Sequence, residues 1–332
     1  QCNLGVCYEN GKGVPQDQAQ AVALYRQAAD QGHATAHFNL GRCYEHGKGV
    51  PQDQAQAVAL YRQAADQGQA NVQYNLGVCY ERGSGAPQDQ ARAVALYRQA
   101  ADQGDADAQC NLGFCYETGK GVRQDQAQAV ALYRQASDQG HAAAQYWLGD
   151  CYENGKGVPQ DQVRAVTLYR QAADQGHAEA QYWLGDCYEN GKGMPQDQVR
   201  AAALYRQAAD QGLAEAQYWL GVCHENGKGV PQDQAQAMTL YRQAADQGLA
   251  HAQCNLGVCY EHGTGVPQDQ AQAVALYRQA ADQGYALAQY WLGVCHENGN
   301  GVPRDQSRAM ALFRQAADQG HAEAKRKLSS TS

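Results

Sequence analysis

The sequence contains no isoleucine, and it has only three phenylalanines and three methionines. Alanine dominates the positions that its pattern predicts to be buried. Small side chains allow helices to approach closely, near the lower end of the roughly 8–10 Å range of interaxial distances. The composition therefore favours a core of closely packed helices.

Basic residues are also few, because 26 Lys and Arg stand against 34 Asp and Glu, for a net charge of −8. Nucleic-acid binding requires a basic stripe or patch, so this balance argues against a DNA or RNA partner. No run of about 18 apolar residues is present, which argues against a membrane-spanning helix. The sequence has no Ser–His–Asp order, phosphate-binding loop or His-Glu-x-x-His motif, and nothing in it predicts an enzyme or a cofactor.

The chain repeats itself every 36 residues, nine times, without an insertion or deletion. A period between about 20 and 50 residues is typical of solenoids, propellers and arrays, in which each unit buries its apolar face on its neighbours. The period is marked by Leu4, Leu40, Leu76, Leu112, Leu148, Leu184, Leu220, Leu256, Leu292 and Leu328.

Each repeat reads as two helices, here called helix A and helix B, and residues 178–213 serve as the example. Apolar residues at helical spacing predict helix A, and Gly191 ends it. Asp197 stands where an N-cap of helix B is expected, and Gly212 closes that helix. We expect about 12 residues in helix A and about 14 in helix B.

A glycine and a tyrosine recur once per repeat. Gly185 and its equivalents lie inside helix A, where glycine costs about 1 kcal/mol relative to alanine, which predicts a close helix–helix crossing. The tyrosine of helix B supplies bulk that alanine lacks, and its hydroxyl needs a partner. These tyrosines are Tyr25, Tyr61, Tyr97, Tyr133, Tyr169, Tyr205, Tyr241 and Tyr277.

The pattern A-x-A-x-x-x-LG-x-x-Y-x-x-G-x-GV-x-x-D-x-x-x-A-x-x-LY-x-x-AA-x-x-G resembles the Sel-one-like repeat (SLR) family, and the match covers almost the whole chain. The resemblance implies an all-α, right-handed α/α solenoid related to tetratricopeptide repeats. It also implies an adaptor that assembles protein complexes. We expect nine helix pairs over residues 1–321 and a capping half-repeat over 322–332.

Both ends of the chain depart from the pattern. Gln1 falls four positions into helix A without an initiator methionine, so we expect the true N-terminus, and any targeting segment, to lie upstream. At the other end Lys325-Arg326-Lys327 replaces the usual Gln-Tyr-Trp. A terminal repeat needs a polar outer face, which predicts a cap, and a basic docking tail is the alternative.

Nine of the twelve cysteines occupy one helix A position, once per repeat, and the other three lie five residues before one of them. Equivalent positions of stacked repeats lie on the order of 10–20 Å apart, too far for a disulfide. Some SLR proteins join their two helices through a cysteine pair, but this chain lacks the second cysteine. We expect free, mostly buried thiols and a reducing intracellular compartment.

The repeats differ in chemistry mainly at helix A positions 2, 6, 9 and 13, counted from the first alanine. At 100° per residue these positions fall inside an arc of about 60°, opposite the repeated Leu, Gly and Tyr. We call this arc the helix A stripe, and in solenoids of this kind it lines the concave side. The stripe residues predicted to bind a partner are Arg42, Arg82, Phe114, Trp147, Asp150, Glu179, Trp183, Asp186, Glu215, Trp219 and Trp291.

Tryptophan dominates binding hot spots because it buries a large area with few rotors. Trp147, Trp183 and Trp219 beside four acidic residues suit a protein or peptide with apolar anchors and Lys or Arg. Two alternatives remain open. Each tryptophan packs on the next repeat without a binding role, or the variation marks only positions where packing is indifferent.

Three other recurring groups favour structural roles. Cys43 and His46 have an i, i+3 spacing that suits a metal, but two ligands fall short of a structural zinc site. His224 and His296 replace a tyrosine and are interpreted as packing variants. The i, i+4 spacing of Arg62 and Asp66, repeated along the chain, predicts exposed ion pairs on helix B.

The leading hypothesis is a non-catalytic scaffold or adaptor that holds a protein along the helix A stripe. The alternative is a structural subunit of a larger assembly, with contacts through the convex face, edges or ends. An enzyme is the third and least favoured hypothesis.

Deleting one internal repeat, such as residues 178–213, should leave a folded and shorter protein, because stability in repeat proteins is approximately a sum of repeats and nearly interchangeable interfaces. Circular dichroism and thermal unfolding of the deletion variant test this, and loss of helical signal would contradict it.

Overall fold

The computed structural model describes residues 1–329, which hold nineteen helices and no strand. The helices are α1 (Cys2–Asn10), α2 (Gln18–Ala29), α3 (Ala34–His46), α4 (Gln54–Ala65), α5 (Ala70–Arg82), α6 (Gln90–Asp102), α7 (Ala106–Thr118), α8 (Gln126–Asp138), α9 (Ala142–Asn154), α10 (Gln162–Asp174), α11 (Ala178–Asn190), α12 (Gln198–Asp210), α13 (Ala214–Asn226), α14 (Gln234–Asp246), α15 (Ala250–His262), α16 (Gln270–Asp282), α17 (Ala286–Asn298), α18 (Gln306–Asp318) and α19 (Ala322–Ser329).

The odd-numbered helices are helix A and the even-numbered ones helix B, so the all-α solenoid of nine helix pairs plus a half-repeat is confirmed. Helix A ends at a glycine in the left-handed conformation, as at Gly47 with φ 67°. Helix B begins at an aspartate N-cap, and Asp197 Oδ1 accepts the Arg200 N–H at 3.0 Å. No helix within residues 1–329 combines the length and apolarity needed to cross a membrane.

The chain divides into two compact units, Gln1–Leu168 and Tyr169–Ser332. In the first unit, helices α1 to α9 pack in chain order, each against the next. In the second unit, α11 to α19 do the same. The core of both units is made mainly of alanine with one tyrosine, leucine and cysteine per repeat, as the composition predicts.

Close packing of helix A on helix B organises each repeat of the first unit. A Cβ added at Gly41 would lie 2.7 Å from Cε1 of Tyr61, so only glycine lets the two helices meet at this point. The tyrosine ring is fully buried, and its hydroxyl donates to Glu45 Oε2 at 2.6 Å. The predicted crossing is confirmed, and the carboxylate is the hydrogen-bond partner that the buried hydroxyl requires.

Polar contacts join successive repeats of the first unit. The buried Gln109 of α7 donates to the Ala101 carbonyl of α6 at 3.3 Å and accepts from Gln139 at 2.7 Å. The loop after α3 touches the preceding repeat directly, because a Cβ at Gly49 would lie 2.4 Å from the Gln18 carbonyl oxygen. The contacts of Gln109 with Ala101 and of Gly49 with Gln18 both involve backbone atoms. A change in loop length would displace these atoms, which explains why the loops keep one length.

The second unit repeats these contacts. A Cβ added at Gly221 would lie 2.7 Å from Cε1 of Tyr241, and the Tyr241 hydroxyl donates to Glu225 Oε2 at 2.8 Å. Burial, followed by the bond to Glu225, raises the pKa of Tyr241, so the phenol stays a donor at all ordinary pH values. The loop contact recurs between Gly229 and the Gln198 carbonyl.

The last repeat of the second unit differs, since Phe313 stands in place of the tyrosine and cannot bond Glu297. The carboxylate of Glu297 instead accepts from Nζ of Lys327, which belongs to α19. Ala324 of α19 is fully buried, whereas Lys325 and Arg326 are exposed. The packing of α19 on α18 supports the interpretation as a cap, and residues 330–332 of the predicted cap lie outside the described residues.

The twelve cysteines are free, and ten of them are buried, which confirms the prediction of unpaired core thiols. Burial raises the pKa of Cys79 to about 11 and that of Cys110 to about 12. Because the thiolate is the reactive form, these side chains are poor nucleophiles and act as small core residues.

Replacing Tyr241 with phenylalanine should destabilise the protein by about 1–3 kcal/mol, because it leaves the half-buried Glu225 carboxylate without its phenol donor. Urea unfolding measures the change. Thr264 stands where six of the other eight repeats carry a lysine, so no lysine at that position can compensate.

The double variant Tyr241→Phe/Glu225→Leu is the control, since it removes donor and acceptor together. It should recover part of the loss, because the penalty comes from desolvating an unpaired group. A double variant less stable than the single one would show that the pair acts through packing alone.

Candidate functional site

The helix A stripe is accessible along both units. In the first unit Arg82 is exposed, and Arg42, Phe114, Trp147 and Asp150 are half-buried. In the second unit the predicted stripe residues are likewise exposed or half-buried, namely Glu179, Trp183, Asp186, Glu215, Trp219 and Trp291. The leucine, glycine and cysteine between them are buried. The stripe is therefore a surface, and its role as a binding site remains a prediction.

Aromatic rings of the first unit gather around Trp147. Its ring centroid lies 5.7 Å from that of Phe114 in the preceding repeat and 6.4 Å from that of Tyr133, stacked. Lys120 Nζ lies 5.0 Å from the Phe114 ring centroid, a cation–π distance. Two predicted site residues, Phe114 and Trp147, are thus brought together in one cluster that keeps part of its area open.

The tryptophans of the second unit combine packing with accessibility. Trp183 and Trp219 each lie beside the tyrosine that precedes them, at 5.3 and 5.4 Å between ring centroids. Burial raises the pKa of Tyr182 to about 12, and the nearby Trp219 side chain of the next repeat opposes the rise. The packing alternative therefore has support at Trp219, although half-buried tryptophans also offer an edge to a partner.

Asparagine makes the equivalent contact where tryptophan is absent. Asn255 lies close to Tyr218 of the preceding repeat and opposes the rise in its pKa, as Trp219 does for Tyr182. Position 6 of helix A thus approaches the same tyrosine with either residue. The tryptophan adds apolar area to the stripe.

The four predicted acidic residues divide into two kinds. Asp150 bonds Lys156 Nζ at 2.7 Å, Asp186 bonds Lys192 Nζ at 2.6 Å, and both carboxylates also accept from an asparagine at 2.8 Å. Each carboxylate is therefore already paired with a lysine of its own repeat, and Lys156 also bonds Glu117 of the preceding repeat. Glu179 and Glu215 are exposed. Glu179 Oε2 lies 3.4 Å from Nδ1 of His177, yet both glutamates present exposed carboxylate surface to solvent.

A second set of polar side chains lies away from the stripe and was missed by sequence reasoning. In residues 1–329 Arg62 forms no ion pair with Asp66, so that prediction is wrong. Arg62 Nε instead donates to the Tyr80 hydroxyl of the next repeat at 3.0 Å, and Arg92 lies over the same ring with 5.6 Å to its centroid. The sequence feature that could have indicated these contacts is the replacement of glutamine by arginine at position 23 of the repeat in four copies.

We call these groups arginine–tyrosine clusters, and each unit contains a complete one. In the first unit the Tyr152 hydroxyl accepts from Arg134 at 3.1 Å and from Arg164 at 3.3 Å. In the second unit the Tyr188 hydroxyl accepts from Arg200 at 3.2 Å and from Arg170 at 3.5 Å. Burial opposes the effect, but the two arginines lower the pKa of Tyr152, which shows a positive local potential.

Within residues 1–329 no three His, Cys, Asp or Glu side chains are placed to hold a metal ion together. Cys43 and Cys259 are buried, whereas His46 and His262 are exposed. In each i, i+3 pair the cysteine therefore faces the core and the histidine faces the solvent.

The Sel1 repeat model matches nine successive segments of the chain: 1–33, 34–69, 70–105, 106–141, 142–177, 178–213, 214–249, 250–285 and 286–321. No curated protein matches the chain.

Two solved structures of SLR proteins resemble the whole chain. The protective antigen c5321 of uropathogenic Escherichia coli is 38% identical with a TM-score of 0.81, over 97% of this chain and 69% of that one. A Sel1 repeat protein of Oxalobacter formigenes is 34% identical with a TM-score of 0.65, over 93% and 90%. The Cut9–Hcn1 hetero-tetramer of the APC/C, 12% identical with a TM-score of 0.53 over 92% and 57%, shares the fold alone.

Replacing His296 with tyrosine should make stability less dependent on pH. His296 is buried in the place of a cluster tyrosine, faces Arg278, Arg308 and Asp305, and its ring nitrogens have no hydrogen-bond partner. Burial, then Arg308, lowers the pKa of His296. The unfolded chain therefore takes up a proton near pH 6.5 that the folded protein resists, and stability falls below that pH.

The measurement is the Tm of the native protein and of His296→Tyr at pH 7.5 and pH 5.5. We expect a smaller drop for the variant. His262→Tyr, at an exposed stripe position, is the control and should behave as the native protein does. Equal drops for His296→Tyr and the native protein would refute the prediction.

Proposed function

This chain belongs to the Sel1 repeat family, whose solenoids are generally protein-interaction scaffolds, and we propose that it is a non-catalytic scaffold that binds a protein or peptide along the helix A stripe. The observation that carries the proposal is the contrast between the stripe and its surroundings. Stripe side chains stay accessible and vary in chemistry from repeat to repeat, while the side chains between them are buried and nearly constant.

The second unit offers the chemistry for a partner with apolar anchors and basic residues. Trp183 and Trp219 provide half-buried aromatic surface, and partial burial holds their rings in place before a ligand arrives. Preorganised aromatic side chains bind with little loss of conformational entropy. Glu179 and Glu215 lie at position 2 of the same helices, with exposed carboxylates for Lys or Arg.

Asp150 and Asp186 have a different place in this proposal. Because each is paired with a lysine of its own repeat, it does not add net charge for a partner. Each aspartate would hold the loop lysine beside the stripe. The aspartate–lysine pairs would then form a polar rim around the surface that a partner contacts. Charge recognition then rests on the two exposed glutamates.

A structural subunit of a larger assembly is the second candidate. It is favoured by two exposed valines in the first turn of helix B, Val163 at 64% and Val199 at 66% exposure, where most other repeats carry alanine. These valines lie outside the stripe. An assembly that uses this surface would not depend on the tryptophans.

The test is an affinity pull-down from an extract of the source cells with the native chain and the variant Trp147→Asn/Trp183→Asn/Trp219→Asn as baits. Asparagine occupies the same position in other repeats, so folding should be preserved. A protein retained by the native bait and lost by the variant supports the proposal.

The matched control is Val163→Ala/Val199→Ala, which changes helix B to the residue most other repeats carry. Equal recovery on the native and tryptophan-variant baits would refute the stripe as the binding site. Loss on the valine variant in that case would favour the structural subunit. All baits must show the same helicity and Tm.

A further inference from the structure

We propose that the arginine–tyrosine clusters at Tyr152 and Tyr188 are a second binding site, each taking one carboxylate from an acidic, partly apolar segment of a partner protein. The clusters lie outside the helix A stripe and do not depend on the function proposed for it. Each cluster is complete within one unit.

The second-unit cluster is a built pocket. It is lined by Arg170, Tyr188, Met194, Pro195 and Arg200, together with Asp197 and Gln196. The arginines come from two successive helices B and converge on one phenol oxygen, which sets the guanidinium groups side by side. Cζ of Arg200 also lies over the Tyr188 ring, 5.6 Å from its centroid.

Each exposed arginine keeps donors for a ligand. A guanidinium has five N–H groups. Arg200 donates through Nη1 to Tyr188 and pairs through Nε with Asp197 Oδ2 at 3.3 Å, and its side chain is 67% exposed. The outer N–H groups of such an arginine suit a carboxylate, which it binds in a bidentate manner.

The net charge of the cluster favours a carboxylate over a phosphate. Two arginines and one aspartate leave a single positive charge at each cluster. A carboxylate carries one negative charge and balances it, whereas a phosphate carries nearly two at neutral pH. The second charge of a phosphate would face the Asp197 carboxylate, which lies beside the same guanidinium.

The exposed valines identify the remaining chemistry of the partner. Val163 precedes Arg164, and Val199 precedes Arg200, so both replacements occur together in two of the nine repeats. In five other repeats the same two positions read Ala-Gln. A side chain exposed by about two-thirds at Val199 offers apolar contact beside the charged group. The fitting ligand is an acidic residue next to an apolar one.

The experiment uses the full chain and a fluorescein-labelled peptide of alternating Glu and Leu, with a Gln–Leu peptide as the uncharged comparison. Fluorescence anisotropy should show binding of the Glu–Leu peptide alone, weakened by 0.5 M NaCl. The variant Arg164→Gln/Arg200→Gln should lose about tenfold in affinity or more, as expected for removing charge-assisted hydrogen bonds.

Two matched variants make the outcome specific. Lys12→Gln/Lys48→Gln removes the same charge at exposed lysines outside the clusters and should bind as the native chain does. The variant Trp183→Asn/Trp219→Asn should also bind normally, which separates this site from the helix A stripe. Unchanged Tm values establish that each variant is folded.

Three results would overturn the proposal. They are the absence of binding to the native chain, an equal loss in the lysine variant, and equal binding of the Gln–Leu peptide. Tighter binding of a phosphoserine–Leu peptide would also contradict it, because the argument from charge requires a single negative charge at each cluster.

Discussion

The contact between a helix A glycine and the ring of a helix B tyrosine sets the geometry of each repeat. At Gly41 and Tyr61 the missing Cβ lets the ring lie against the helix backbone, so the ring is fully buried and its hydroxyl is carried to one place. That place is occupied by the Glu45 carboxylate. Elsewhere in the first unit the same carboxylate reaches further, since Glu117 accepts both from Tyr133 and from Lys156 of the next repeat. Packing inside one repeat is thereby coupled to its neighbour.

This coupling explains where the chain can vary. Positions that touch the tyrosine, the glutamate or a neighbouring backbone are nearly constant along the sequence. Variation is found on the helix A stripe, in the first turn of helix B and at the residue before helix A. The first two surfaces differ in exposure, because the stripe uses part of its area for contacts between repeats, as Trp147 does with Phe114. Val199 and Arg200 stand more fully in solvent.

The fold was predictable because every repeat has the same pattern of apolar, glycine and capping residues, and this pattern fits only a pair of helices. The N-cap at Asp197, the crossing at the helix A glycine and the free cysteines all follow from local rules that the repeats reinforce. Partners of charged groups were not predictable in this way. The i, i+4 rule paired Arg62 with Asp66, but Tyr80 lies closer to the guanidinium because the next repeat is stacked there. The lysine partners of Asp150 and Asp186 were missed for a similar reason, since the loop geometry that returns each lysine to helix A is not visible in a periodic pattern.

The last repeat carries one more consequence of the tyrosine–glutamate pair. Phe313 leaves Glu297 open, and Lys327 of α19 occupies the acceptor that a tyrosine would otherwise hold. Glu297 is therefore bonded by the helix that follows its repeat and not by helix B of its own repeat. A single hydroxyl oxygen, present on Tyr277 and absent from Phe313, decides whether the helix A glutamate finds a hydrogen-bond donor inside its own repeat.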